Sequence, residues 1–154
     1  MGDEEDNNQY LLFIIGQVTY ATPLLDVREI VRPQQYKHVP NTQDYFLGVI
    51  NLRGEIIGAI DTRKKLNVEK QEDPSDEVLL VFETGFGTLA ALVDDVLSVR
   101  TIAEKDIERN PSVATDIEQE YLLGIAKIRE KMVNLINLSS LISQAELLFN
   151  RKVA

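Results

Sequence analysis

An internal repeat is the feature that most constrains the fold of this 154-residue chain. The segment that begins at Gly48 recurs from Gly124, and Arg53 then falls on Arg129. Paired positions keep the same character, apolar with apolar and polar with polar. The pairs are Tyr45 with Tyr121, Val49 with Ile125, Leu52 with Ile128, Ile56 with Met132, Ile57 with Val133, Ile60 with Ile136, Asp61 with Asn137 and Leu66 with Ile142. The sequence therefore predicts a duplicated unit of about five strands per copy.

The centre of the first copy is a predicted β-hairpin. Apolar residues at 49–52 lead into the dipeptide Arg53-Gly54, and a second apolar run follows at 56–60. Two strands joined by a tight polar turn give this pattern. Asp61 can then start a helical turn, because its carboxylate accepts hydrogen bonds from free backbone N–H groups. An ordinary hairpin explains this spacing, so Arg53 needs other evidence before it counts as more than a turn residue.

Further strands are predicted on either side of this hairpin. Apolar runs at 10–15 and 77–84 each end at a glycine turn and resume beyond it. The repeat continues here with a shifted offset, because Val27 and Ile30 correspond to Val96 and Val99. Residues 24–31 have an ambiguous spacing that we interpret as a helical turn leading into a strand.

The two copies are expected to pack together. Each is too small to bury a robust core alone, so a groove between them is the first candidate binding site. Short strands linked by hairpins close more easily into small barrels than into open sheets with exposed edges. The fold prediction is all-β: one domain at 9–149 with barrels at about 10–66 and 77–137. A C-terminal amphipathic helix at 138–149 packs on them, and residues 1–8 form a flexible acidic arm.

Charge and composition narrow the possible partners. With 25 acidic and 16 basic residues the chain has a formal charge of −9, which repels nucleic-acid phosphates. No apolar run approaches the roughly 20 residues that span a bilayer, and the amino terminus is acidic where a signal peptide is basic. We therefore expect a soluble cytoplasmic protein that does not bind nucleic acid or insert into a membrane.

No catalytic or metal-binding arrangement is predicted. The chain has no cysteine, and its single histidine, His38, lies in a polar loop beside Pro40, as a surface residue would. Asp94 and Asp95 could form an acid pair or a metal site, but neighbours on a strand face opposite ways, which favours a strand-end role. The glycines around Phe86 lack the lysine and helix of a phosphate loop. We expect no enzyme activity, no cofactor and no metal.

Three motifs, in this order and spacing, carry a resemblance to a known family. They are DVREI at 26–30, GVINLRG at 48–54 and YLLG at 121–124. From Gln9 to about Phe149 the chain resembles the CheW-like domain of bacterial chemotaxis. The resemblance implies two five-stranded, SH3-like barrels in a non-catalytic adaptor, monomeric when free. Such an adaptor couples the cytoplasmic tips of methyl-accepting chemoreceptors to a CheA-type histidine kinase, and is recruited from the cytoplasm to membrane-associated arrays.

The resemblance also implies which residues contact partners. The receptor groove between the barrels would involve Val27, Glu29, Arg53, Val93, Val96 and Val99. Glu29 and Arg53 would form an ion pair that orients the arginine. Core packing explains some of the valines equally well, and burial separates the two roles. The kinase would contact the first barrel and the loop from Glu108 to Val113, with no individual residue assigned.

Some positions depart from the family pattern. Gly58 stands where the family often has proline, Thr62 where it often has leucine, and Asn134 and Asn137 where apolar and acidic residues are common. These departures suggest a divergent paralogue, and the receptor, the kinase and the cellular output stay open. The alternative function is a ligand-sensing regulator that holds a small molecule in the groove between the barrels. It would require a deep enclosed pocket there.

Overall fold

The computed structural model describes residues 8–69, 76–109 and 121–142. These residues form the strands β1 (Gln9–Ile15), β2 (Val18–Pro23), β3 (Val27–Val31), β4 (Phe46–Leu52), β5 (Glu55–Asp61), β6 (Val78–Thr84), β7 (Gly87–Val93), β8 (Asp95–Thr101), β9 (Ile107–Glu108), β10 (Leu122–Ile128) and β11 (Lys131–Ile136). One short helix, α1 (Thr62–Leu66), and 3₁₀ turns at Leu24–Asp26, Glu104–Asp106 and Leu138–Ser140 complete them. The all-β prediction is confirmed. None of the described helices has the length and apolar character to cross a membrane.

The strands form two sheets that exchange segments of the chain. One sheet has five strands in the order β3-β6-β7-β5-β4, and the other has six in the order β8-β1-β2-β11-β10-β9. The predicted division at 10–66 and 77–137 is therefore wrong for the sheets. The amino-terminal hairpin β1–β2 pairs with β8 and β11, which come from the second half of the chain. Hairpin β6–β7 pairs with β3 and β5.

The exchange explains why several strands are apolar on both faces. Leu79 and Val81 of β6 belong to a cluster inside the five-stranded sheet, whereas Leu80 and Phe82 belong to a cluster shared by both sheets. On β1, Leu12 likewise belongs to a cluster within the six-stranded sheet, and its neighbours join the shared cluster. Strands buried on both faces read as continuous apolar runs. The molecule thus has one core inside each sheet and a third between them.

The duplication is confirmed by the strand order and by the register. The first five strands of each order correspond, so β3 matches β8 and hairpin β4–β5 matches β10–β11. Val27 lies opposite Phe82 just as Val96 lies opposite Phe13. The two tyrosines of the repeat also accept equivalent backbone hydrogen bonds. The backbone N–H of Asp61 donates to the carbonyl of Tyr45 at 2.7 Å, and that of Asn137 donates to Tyr121 at 2.8 Å.

Backbone geometry preserves the repeat at two turns. Arg53 and Gly54 have φ angles of 51° and 87°, and Arg129 and Glu130 have 55° and 107°. Positive φ at both turn residues is the type I′ geometry, whose twist matches that of the flanking strands. The two hairpins that the sequence aligned therefore turn in the same way, although the second turn has no glycine.

Gly48 and Gly124 occupy equivalent crowded positions beside bulges in β4 and β10. Their φ angles are 132° and 157°. A Cβ atom on Gly48 would lie 2.4 Å from the backbone oxygen of Lys37, and one on Gly124 would lie 2.8 Å from that of Glu108. Another backbone passes so close that only glycine fits.

A buried ionic network joins the two sheets through Arg63 of α1. Its Nη1 atom donates to Asp94 at 2.9 Å, its Nε atom donates to Asp61 at 3.1 Å, and its Nη2 atom lies 2.8 Å from Glu77. Asp94 also accepts a hydrogen bond from the backbone N–H of Gly16, in the β1–β2 turn of the other sheet. Burial alone would lower the pKa of Arg63, but the hydrogen bond and charge of Asp61 and the other carboxylates raise it above its ordinary value.

The described residues do not show the predicted C-terminal helix at 138–149. Leu138–Ser140 form a 3₁₀ turn, and the side chains of Leu138, Leu141 and Ile142 are buried in the shared core. This burial matches the predicted apolar face. Residues 143–149 of the predicted helix lie outside the described residues.

We predict that Asp94→Ala strongly destabilises the fold. The substitution removes one buried partner of Arg63 and the acceptor of the Gly16 N–H, and breaking a buried pair on one side costs about 3–5 kcal/mol. Urea unfolding followed by circular dichroism measures the change. Asp95→Ala is the matched control and should change the free energy of unfolding by less than about 1 kcal/mol. Equal stability of the two variants would contradict the role given to the network.

Gly48→Ala tests the crowded position in β4. The added methyl group meets the Lys37 backbone in a conformation that alanine rarely adopts, so we expect a loss of more than about 1 kcal/mol. Gly85→Ala is the control, since nothing lies within 4 Å of a Cβ atom built there. Thermal unfolding of both variants measures the difference. A wild-type midpoint for Gly48→Ala would contradict the prediction.

Candidate protein-binding groove

The equivalent edge strands β3 and β8 border the core between the two sheets. Val27 lies opposite Phe82, and Val96 lies opposite Phe13. Both phenylalanines are fully buried in the shared core, and both valines pack against it while staying partly exposed. Cross-strand partners lie on the same face of a sheet. Val27 and Val96 therefore mark the surface where the shared core reaches solvent on each side.

Two further side chains extend this apolar surface. Ile30 lies opposite Leu80, and Val99 lies opposite Leu11, and both partners belong to the shared core. Ile30 and Val99 are nevertheless 45% and 47% exposed. We call these two pairs the apolar rows: Val27 with Ile30 on β3, and Val96 with Val99 on β8. Ile30 was missed as a site residue, although its alignment with Val99 in the repeat was a signal for it.

Val93 does not belong to this surface. Its side chain is 0% exposed and lies in the shared core at the end of β7. A partner could not touch it without displacing the residues around it. The expectation that Val93 contacts a receptor is therefore wrong, because β7 is a central strand that is covered on both faces.

The predicted ion pair between Glu29 and Arg53 is present. Their side chains are 23% and 65% exposed. Glu29 lies opposite Val81, which belongs to the core inside the five-stranded sheet. A bulge at Arg28 shifts the register, so that Val27 and Glu29 lie on opposite faces of β3. The Glu29–Arg53 ion pair therefore lies on the other face of β3 from the apolar rows.

Arg28 forms a second connection between β3 and the β4–β5 hairpin. It lies 3.2 Å from Glu55 at the start of β5 and 3.2 Å from Glu83 of β6. The hydrogen bond to Glu55, and then the charges of Glu55 and Glu83, raise the pKa of Arg28 above its ordinary value. Because β3 and the β4–β5 hairpin are at opposite edges of the sheet, these contacts show that the sheet curls on itself. We therefore call the two sheets the five-stranded and the six-stranded barrel.

The segment predicted to contact a kinase is only partly described. Glu108 and Arg109 are exposed, and residues 110–113 lie outside the described residues. Arg109 forms two hydrogen bonds of 2.7 Å with Glu104. This interaction lowers the pKa of Glu104 and raises that of Arg109. The start of the loop is therefore held by a charged pair on the surface of the six-stranded barrel.

The residues considered for catalysis have other roles. His38 is exposed, and residues 85 and 86 form the β6–β7 turn. Asp94 is buried in the ionic network at the end of β7, which confirms the strand-end interpretation. Within the described ranges, no group of three or more histidine, aspartate or glutamate side chains could hold a metal ion.

Comparison with known proteins identifies the family. A family model described as the CheW-like domain matches residues 9–146, which is most of the chain. The chain belongs to the CheW-like family.

Named relatives and a solved structure match this chain over most of their length. The chain is 30% identical over 154 residues to the chemotaxis protein CheW of Klebsiella aerogenes, covering 100% of this chain and 93% of that protein. It is 27% identical over 139 residues to protein FrzA of Myxococcus xanthus, covering 89% and 86%. The crystal structure of the scaffolding protein TtCheW from Thermoanaerobacter tengcongensis is 30% identical with a TM-score of 0.81, covering 91% of this chain and 95% of that one. The CheW-like fold therefore extends over nearly the whole chain.

We expect Arg53→Ala to leave the fold intact. The Glu29–Arg53 pair is exposed on the arginine side, and exposed pairs contribute about 0–1 kcal/mol. Urea unfolding should give a wild-type slope and a midpoint close to that of the wild type. Arg63→Ala is the contrasting variant, because the same truncation there leaves buried carboxylates unpaired. A loss of stability at Arg53 as large as at Arg63 would mean that the exposed pair is structural.

Proposed function

We propose that this protein is a non-catalytic adaptor in a bacterial chemosensory array. It couples the cytoplasmic tips of methyl-accepting chemoreceptors to a CheA-type histidine kinase. The free protein is a cytoplasmic monomer in this proposal and is recruited to membrane-associated receptors. Family membership supports the general role, since relatives carry the names chemotaxis protein and scaffolding protein.

The apolar rows are the observation that carries the receptor assignment. They present Ile30 and Val99, each about half exposed, beside Val27 and Val96, which rest on the shared core. The 3₁₀ turn that leads into β3 contacts β1, the strand to which β8 is bonded, so the two rows border the same junction. An amphipathic helix can bury its apolar face in a groove of this kind. The receptor tip is the proposed occupant.

Arg53 is proposed to set the orientation of the bound partner. It lies beyond the apolar rows, around the edge of β3, and Glu29 holds its guanidinium in one position. An arginine that is fixed in this way and still 65% exposed can donate further hydrogen bonds to a partner. The expected contribution is to specificity, because charges at the rim of an interface affect orientation more than affinity.

The kinase is proposed to bind elsewhere on the molecule. The proposed contact lies on the predicted first barrel, with a further contact from the second barrel through the loop from Glu108 to Val113. The five-stranded barrel is the one that carries most of the predicted first barrel. Receptor and kinase would then occupy different surfaces, as an adaptor requires. Moderate affinity at each surface is sufficient, because arrays add avidity.

The family assignment favours the adaptor over the alternative of a ligand sensor with a small molecule between the barrels. The residues at the barrel junction form exposed rows, which suit a protein partner. We therefore do not propose that alternative for the groove.

Charge introduced into the apolar rows should abolish receptor binding. Ile30→Asp and Val27→Asp place a carboxylate where the partner buries apolar surface, and Arg53→Glu reverses the orienting charge. We expect each variant to fold and to lose recovery of the receptor tip in a pull-down, while still recovering the kinase.

Arg129→Glu is the internal control for Arg53→Glu. Arg129 has the same type I′ turn in the second copy, but Ser98 stands where Glu29 would, so no carried-over role attaches to it. It should reduce receptor recovery less than Arg53→Glu does. Retained receptor binding by Val27→Asp, Ile30→Asp and Arg53→Glu together would reject the groove assignment.

A further inference from the structure

The six-stranded barrel has a cavity of about 650 Å³, and Ser98 of β8, which lines it, lies on the opposite face of that strand from Val99 of the apolar rows. Leu12, Leu97, Ile128 and Val133 supply its apolar lining. Leu12 and Val133 are 6% and 2% exposed and belong to the core of that barrel, so they form the floor. The volume falls within the range of roughly 300–1,000 Å³ that small-molecule pockets occupy.

The equivalent place in the five-stranded barrel is crossed by ion pairs. There, Glu29 pairs with Arg53, and Arg28 pairs with Glu55. These pairs join β3 to the tip of the β4–β5 hairpin and close the barrel at that point. The six-stranded barrel cannot form these ion pairs, because the residues that correspond to Glu29, Glu55 and Arg28 have different side chains.

The register shows which residues replace them. Ser98, opposite Leu12, stands for Glu29, opposite Val81, and Leu97 takes the bulge position of Arg28. Lys131, the first residue after the second turn, stands for Glu55. Arg129 itself is retained. In the five-stranded barrel, ion pairs bridge the space between the edge strand and the hairpin tip, whereas no such pairs form in the six-stranded barrel. The cavity lies in this open space, between β8 and the β10–β11 turn.

The rim of the cavity is basic. Arg100, Arg129 and Lys131 line it together with a single carboxylate, that of Glu130. Among the residues that the structure describes, no ion pair engages any of these three cations. A chain with a formal charge of −9 repels anions in general, so an uncompensated basic rim over an apolar floor is a local exception.

We propose that this cavity binds a small amphipathic anion. The hydrocarbon part of the ligand lies on Leu12, Ile128 and Val133. A carboxylate or phosphate group lies at the rim, where Arg100, Arg129 and Lys131 can donate hydrogen bonds. This site is separate from the proposed receptor groove and gives the protein a second, small-molecule binding surface.

Sodium octanoate is a suitable probe, with 1-octanol and octylammonium as matched neutral and cationic controls and inorganic phosphate as an anion without an apolar part. Amide chemical shifts of the full-length ¹⁵N-labelled chain locate binding and give dissociation constants. We expect octanoate to shift the amides of Leu12 and Val133. It should bind at least about tenfold more tightly than 1-octanol, because charge-assisted hydrogen bonds are lost in the alcohol.

Two variants restore the residues of the closed barrel. Ser98→Glu supplies the acidic partner that Arg129 lacks, and Lys131→Glu places glutamate where the other copy has Glu55. Both positions are exposed, so each variant should fold and lose octanoate binding by about tenfold or more. Lys64→Glu, an exposed position on α1, makes the same charge change outside the cavity and should bind octanoate as the wild type does.

Either of two results would overturn the proposal. One is the absence of octanoate-induced shifts at the cavity residues. The other is equal binding of octanoate by the wild type and by both Ser98→Glu and Lys131→Glu. Binding of 1-octanol as tight as that of octanoate would reject the anionic part of the ligand. Receptor and kinase pull-downs with Lys131→Glu keep this outcome separate from the adaptor role, since the proposed receptor groove is unchanged in that variant.

Discussion

The buried charge of Arg63 determines how the two barrels sit against each other. An arginine that is only 4% exposed needs partners on every side, and Asp61, Glu77 and Asp94 supply them from three different parts of the chain. Asp94 also binds the β1–β2 turn, so one carboxylate connects α1 to the other barrel. Apolar contacts in the shared core are non-directional and tolerate sliding. Directional, buried hydrogen bonds fix one arrangement, and the apolar rows on β3 and β8 depend on it.

The duplication does not repeat this network. Ser139 occupies the repeat position of Arg63, and Asn137 keeps only the capping role of Asp61 by accepting from the backbone N–H of Ser139. The two copies share strand order, turn type and the crowded glycine at Gly48 and Gly124, all of which are set by the backbone. They differ in charged side chains. The sequence changes between the copies therefore affect the charged contacts that close each barrel and join it to the other. Strand order and turn type are the same in both copies.

Local features of the fold could be predicted from the sequence, because neighbouring residues determine them. The turn at Arg53-Gly54, the cap at Asp61 and the hairpin around Gly16 all follow from residue type and spacing.

The sheet to which a hairpin belongs could not be predicted. Strands β1 and β6 are apolar on both faces, so their pattern fits a central position in either barrel. The same ambiguity explains why the sequence prediction grouped Val93 with Val96. Both are valines close to Asp94, and only the sheet order shows that β7 is central and β8 is an edge.

The strand exchange makes one barrel an insertion within the other. All strands of the five-stranded barrel lie between β2 and β8, whereas the six-stranded barrel needs β1 and β2 together with strands from residue 95 onward. During synthesis from the amino terminus, the first hairpin therefore emerges long before its partners. The inserted barrel can complete its sheet before β8, the hydrogen-bonded neighbour of β1, has been made. The last strands made, β10 and β11, close the barrel that the first strands began, so that barrel cannot be complete until nearly the whole described chain has been made.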